Sequence, residues 1–154
     1  MQITIGSKAP AFDLPASGGG RLALHALRGR KVVLYFYPKD DTEGCTKEAI
    51  DFNRLKSAFA AADTEVIGLS ADEIASHDRF RKKHKLDLTL VSDPAKDIIE
   101  AYGVWGEKQM FGRKYMGIER ATFLIDRDGT IAKVWRKVKV PGHAEEVLAA
   151  AQAL

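Results

Sequence analysis

Between residues 31 and 36 the chain reads Lys-Val-Val-Leu-Tyr-Phe, β-branched and aromatic and apolar at successive positions. Such a run predicts a strand buried on both faces, at the centre of a sheet covered by helices. Pro38 stops it. After a polar turn over 39–44, Ala49, Phe52, Leu55, Phe59 and Ala62 recur at steps of three and four, which predicts one amphipathic helix; a further step of four back along its stripe falls on Cys45. Residues 65–69 read as a second buried strand. Ser70 or Asp72 is the expected N-cap of a helix running to about residue 84, closed by the basic cluster 81–85. A short strand over 88–91 ends at Ser92-Asp93-Pro94, and Ile98, Ile99 and Tyr102 mark a brief helix terminated by Gly103.

Residues 104–119 show no clean periodicity and are expected to form a long, partly aromatic loop. A strand follows over 120–126, Asp128-Gly129 predicts a hairpin turn into a strand over 130–136, and 142–154 reads as a closing helix with Val147, Leu148 and Ala151 inward. Near the start, Gly18-Gly19-Gly20 reads as a loop tip. Alternating strands and helices followed by a hairpin and a helix predict an α/β three-layer sandwich with a mixed central sheet, thioredoxin-like, as one domain over 1–154.

Composition narrows the picture. With 154 residues, 45% apolar and 29% charged, the chain can build a core unaided, and its single cysteine excludes an intrachain disulfide. A net charge of +3, evenly spread, gives no support to nucleic acid or an anionic membrane as partner. No targeting segment and no long apolar run is visible, so the expected location is the cytoplasm, consistent with a lone thiol. His25, His77, His84 and His143 lack ligand-like spacing, and no metal site is expected; His77, within Ser70-x-Asp72-x-x-x-x-His77, reads as a polar structural contact.

Cys45 stands at the first turn of a helix just after the central strand, where unpaired backbone N–H groups and the helix dipole favour an anion. Taken alone, a lone cysteine on an apolar stripe is more often a small core residue. The residues before it change that. Thr42, three positions upstream, can hold a hydroxyl near the sulfur, the N–H groups of Gly44 and Cys45 add donors, and Pro38, with no N–H and a fixed φ, can wall a pocket. A thiolate that cleaves an O–O bond needs such groups, with donors for the leaving oxygen.

The pattern Pro38-x-x-x-Thr42-x-x-Cys45 resembles the peroxiredoxin signature. More narrowly, Tyr35-Phe36-Tyr37-Pro38-Lys39-Asp40, Gly44-Cys45-Thr46, Ser92-Asp93-Pro94, 102–106 and 117–126 are similar to the bacterioferritin comigratory or peroxiredoxin Q branch. The resemblance implies a thiol-dependent peroxidase acting on hydrogen peroxide and organic hydroperoxides, with no metal, haem, flavin or other cofactor. It implies that Arg120 holds the thiolate and the peroxide oxygens, whereas taken alone Arg120 would be read as a surface partner of Glu119 or Asp126. Glu48, on the same helix side as Cys45, either bonds that arginine or is a solvated carboxylate.

Two positions depart from the branch. The resolving cysteine that many relatives carry five residues after the peroxidatic one is Ile50 here, and the usual proline before Gly-Cys is Glu43. Cys45 alone implies a one-cysteine cycle in which an external thiol meets the sulfenic acid: thioredoxin by the resemblance, or glutaredoxin with glutathione. A monomer is the expected state. The rival readings are a non-enzymatic thioredoxin-like binding module that recognises a protein through 105–113, and a peroxide sensor acting through a mixed disulfide.

Overall fold

The computed structural model describes residues 3–154. Its centre is a five-stranded mixed sheet. The apolar run at Lys31–Phe36 forms β3, buried at every position. It pairs in parallel with β4 (Thr64–Ser70), which pairs in parallel with β5 (Thr89–Ser92). On its other side β3 meets β8 (Ala121–Ile125) antiparallel, and β8 turns back into β9 (Ile131–Trp135). The sheet order is therefore β5-β4-β3-β8-β9. β1 (Asp13–Pro15) and β2 (Arg21–Ala23) form a separate small hairpin around the glycine tip, where Gly18, Gly19 and Gly20 all take positive φ.

Strand alternation sends Val32, Leu34 and Phe36 to one face and Val33, Tyr35 and Tyr37 to the other, and each face has its own core. The first is covered by Phe12 and Ala16 of the amino-terminal segment and by Ile99 and Tyr102 at α4 (Asp97–Ala101). The second receives Cys45, Ala49 and Phe52 from α1 (Glu43–Arg54), Phe59 from α2 (Lys56–Ala61), Phe80 from α3 (Ile74–His84), and Val147 and Ala151 from α5 (His143–Ala153). Helices thus lie on both sides of the sheet, as the apolar pattern of β3 requires.

Three expectations need correction. The helix expected from 45 to 62 starts two residues earlier and is two helices, broken at Leu55 (φ −95°, ψ 4°); the apolar stripe survives the break because Phe52 and Phe59 both face the sheet. The N-cap of α3 is Glu73, while Ser70 ends β4 and bonds Asp72. Residues 104–119 are no loop: β6 (Trp105–Met110) and β7 (Arg113–Ile118) form an antiparallel hairpin that pairs with no other strand among the described residues. Its turn places Phe111 and Gly112 at φ 52° and 76°, so a phenylalanine occupies a left-handed position that sequence rules reserve for Asn, Asp or Gly. Residues 128–129 do turn the β8–β9 hairpin, with Gly129 at φ 88° and its N–H donating to the Asp126 carbonyl.

Candidate active site

The central strand ends at Phe36, and the turn over 38–42 carries the chain from the sheet to the start of α1. Thr42 is the N-cap, in extended conformation and with no side-chain capping bond. The N–H groups of Glu43, Gly44 and Cys45 lie in the first turn, where an α-helix has no carbonyl to offer them, and they mark a positive helix end beside the sulfur. Cys45 itself is 2% exposed and free.

Arg120, just before β8, reaches this helix start because β8 pairs directly with β3. Its Nη2 lies 3.4 Å from Cys45 Sγ and its Nη1 donates to Glu48 Oε1 at 2.6 Å. The surface pairing with Glu119 or Asp126 does not occur; Glu119 is taken by Arg136 at 2.7 Å. Glu48 is buried, with Oε2 lacking a hydrogen-bond partner, and it is therefore no solvated carboxylate. Burial pushes its carboxyl up to about 7, against the pull of Arg120. For Arg120, burial works downward, but Glu48 and the sulfur outweigh it and the guanidinium is held more firmly charged than usual.

The Thr42 hydroxyl donates to the Lys39 carbonyl at 2.9 Å. The donor expected near the sulfur is thus engaged within its own turn, and toward a ligand Thr42 offers lone pairs, an acceptor. Pro38 and Arg120 line a cavity of about 470 Å³ whose other walls include Val104, Trp105, Lys108 and Val138. The β6–β7 hairpin therefore builds one side of this cavity. Lys108 bonds the Ile118 carbonyl at 2.9 Å; burial first and Arg120 second hold its ammonium below the usual lysine range. Ile50 points outward at 43% exposure.

His77 is a polar structural contact, as expected, but a deeply buried one. It joins Asp40 and Asp72 in a cluster with metal-ligand chemistry. The ligand atoms are already engaged: His77 Nδ1 with Asp40 Oδ2 at 2.7 Å, His77 Nε2 with the Val91 carbonyl at 2.9 Å, and Asp72 Oδ2 with the Asp40 N–H at 2.8 Å. These contacts describe a hydrogen-bond network. No helix among the described residues is long and apolar enough to cross a membrane.

A mixed thioredoxin-like sheet with a buried thiol at a helix start, held by an arginine, defines a thiol peroxidase. Residues 5–134 match the AhpC/TSA family, and the chain belongs to it. Within that family its relatives are of the bacterioferritin comigratory, or peroxiredoxin Q, branch. It is 51% identical over 148 residues to the putative peroxiredoxin Bcp of Coxiella burnetii, covering 96% of this chain and 98% of that one. It is 47% identical to peroxiredoxin Bcp of Bacillus subtilis, covering 96% and 94%. Among solved structures it is similar to peroxiredoxin Q of Xylella fastidiosa (TM-score 0.94, 39% identity, 99% and 98% covered). It is also similar to the bacterioferritin comigratory protein of Xanthomonas campestris, described for its alkyl peroxide reduction activity (TM-score 0.87, 45% identity, 92% and 90% covered). The chain is accordingly a thiol-dependent peroxidase, and the binding-module reading gives way.

Proposed function

We propose that Cys45 is the peroxidatic residue of a one-cysteine cycle acting on hydrogen peroxide and organic hydroperoxides. The supporting observation is the Arg120 guanidinium, shared between the Cys45 sulfur at 3.4 Å and Glu48 at 2.6 Å at the start of α1. The Cys45 thiolate attacks the terminal peroxide oxygen, an S–O bond forms as the O–O bond breaks, and the leaving oxygen departs as water or alcohol once protonated. Sulfur is oxidised to a sulfenic acid and the peroxide is reduced. Arg120 and the N–H groups of Gly44 and Cys45 stabilise the leaving oxygen, Thr42 accepts the peroxide hydrogen, Pro38 shields the sulfur, and Glu48 orients Arg120. The cavity against Val104, Trp105 and Val138 takes the organic part of a hydroperoxide.

Cys45 is the chain's one thiol, so an external thiol attacks the sulfenic acid, expels water and forms a mixed disulfide. A second thiol then releases Cys45. A dithiol protein such as thioredoxin fits this cycle, with glutaredoxin and glutathione as the other candidate system. We take residues 1–154 to form one domain, and the enzyme to be monomeric and cytoplasmic. Stopped-flow oxidation by hydrogen peroxide is the test. Reaction is lost in Cys45→Ser, slowed about tenfold or more in Arg120→Ala, and slowed in Thr42→Val. Oxidation at free-thiol pace, indifferent to Thr42 and Arg120, would overturn the assignment. Turnover with each thiol system identifies the reductant.

A further inference from the structure

The turn that carries Pro38 and Thr42 is fastened to α3 at two adjacent residues. Asp40 is buried, and its carboxylate accepts from Tyr37 Oη at 2.6 Å and Ser76 Oγ at 2.8 Å while meeting His77 Nδ1 at 2.7 Å. Its backbone N–H is held by Asp72 at 2.8 Å. Asp41 takes a left-handed φ of 60°, costly for a residue with a side chain, and its carboxylate is gripped by Lys83 at 2.6 Å and His84 at 2.8 Å.

The charge of His77 follows from its partners. The Val91 carbonyl can only accept, so Nε2 carries a proton. Nδ1 faces a carboxylate oxygen, so one proton lies in that contact. Asp40 already receives two hydroxyl donors, which favours its ionised form and leaves the proton on the ring. Burial works to raise the Asp40 carboxyl, and the His77, Tyr37 and Ser76 contacts together lower it.

We infer that Asp40 and His77 form a buried carboxylate–imidazolium pair that positions the peroxidatic turn, holding Pro38 and Thr42 in register with Cys45. Both are positioning residues, and their role rests on the peroxidase reading above. The pair is neutral as a whole, so it orders the turn without adding net charge near the sulfur. Tyr37 Oη meets both members of the pair, at 2.6 Å from Asp40 and 3.3 Å from His77 Nδ1; Asp72 accepts from the Asp40 N–H, and Asp41, Arg79 and Lys83 line a cavity together with Asp40, while Arg120 and Glu48 lie at the sulfur.

The test begins on the unmodified protein with labelled histidine. At neutral pH, NMR is expected to find protons on both His77 ring nitrogens, assigned through contacts with the Tyr37 ring; a bare nitrogen overturns the pair. Next, stopped-flow oxidation by hydrogen peroxide and iodoacetamide alkylation of Cys45 are compared in Asp40→Asn, His77→Gln and the double variant, with far-ultraviolet circular dichroism checking that each folds. Peroxide oxidation is expected to slow about tenfold or more in all three, whereas alkylation, which does not use the Pro38–Thr42 turn, stays within about twofold of wild type. Wild-type peroxide rates, or an equal slowing of both reactions, would refute positioning. Free-thiol peroxide reactivity of the wild type would sink the peroxidase reading instead, leaving NMR to decide the charge pair.

Discussion

Gly44→Ala should separate activity from stability. Gly44 sits in the first turn of α1 with no positive φ, so its backbone accepts a side chain. Alanine favours a helix interior over glycine by about 0.5–1 kcal/mol, with less to gain at a first turn. A Cβ at this position would stand 3.1 Å from Arg120 Nη2, the nitrogen that faces Cys45. Nη1 is anchored on Glu48 at 2.6 Å, so the guanidinium relieves the crowding by swinging Nη2 away from the sulfur. A hydrogen bond to a charged group contributes about 1.5–3 kcal/mol, which corresponds to about tenfold to somewhat over a hundredfold in rate if it is lost wholly. Because the displacement is a few tenths of an ångström, the low end applies, and the expected loss is about tenfold. Stopped-flow oxidation of reduced protein measures the rate, and urea unfolding measures stability. A wild-type rate at undiminished stability would show that the Nη2 contact contributes nothing to O–O cleavage. A stability loss above about 1 kcal/mol would show that the backbone yields rather than Arg120, contrary to the helix-propensity argument.

The other predictions concern charge, geometry and packing. Glu48 binds its proton more tightly in the folded chain than in the unfolded one, so stability falls as pH rises from 4.5 to about 7. Glu48→Gln should flatten that dependence, by at most about 3 kcal/mol across the window; urea melts at several pH values that keep the wild-type slope would count against it. Ile50→Cys places a second thiol five residues along α1, where the helical rise alone is about 7.5 Å, beyond disulfide reach. Peroxide should therefore yield an intrachain disulfide only with loss of far-ultraviolet helical signal, and a disulfide with full helicity would refute this. At Gly68 on β4 a Cβ would meet Tyr35 and Leu90 side-chain atoms at 2.8 Å, so Gly68→Ala should cost about 1–3 kcal/mol by overpacking. An unchanged urea midpoint would disprove it.

How far the sequence carried depended on where each residue's partners lie. β3 was legible because both its faces are buried, and the stripe of α1 and α2 because its period is local. Cys45, Thr42 and Pro38 were legible as a group because they lie within eight residues. Arg120 needed the family resemblance: it stands 75 residues from Cys45, and only the β3–β8 pairing brings them together. The β6–β7 hairpin escaped because most of its residues are at least partly exposed, so no apolar alternation marks it, and because Phe111 fills a turn position usually marked by Asn or Gly. The Gly112 beside it was the one usable signal. The Asp40–His77 contact spans two elements, and neither spacing nor burial period could announce it; the Ser70-x-Asp72-x-x-x-x-His77 spacing gave the polar character without the partner.

Ile50 on the outer face of α1 carries a consequence in time rather than space. With a second thiol on the same helix, an oxidised sulfur would be captured at a rate set by the chain's own motions. On the one-cysteine cycle proposed above, with isoleucine there and capture from outside, the lifetime of the sulfenic acid would be inversely proportional to the concentration of the reducing thiol. A second peroxide competes for the same sulfur and carries it to the irreversible sulfinic state. On that cycle the ratio of thiol to peroxide around the protein would decide how many turnovers each molecule completes, and the enzyme's endurance would become a property of its surroundings.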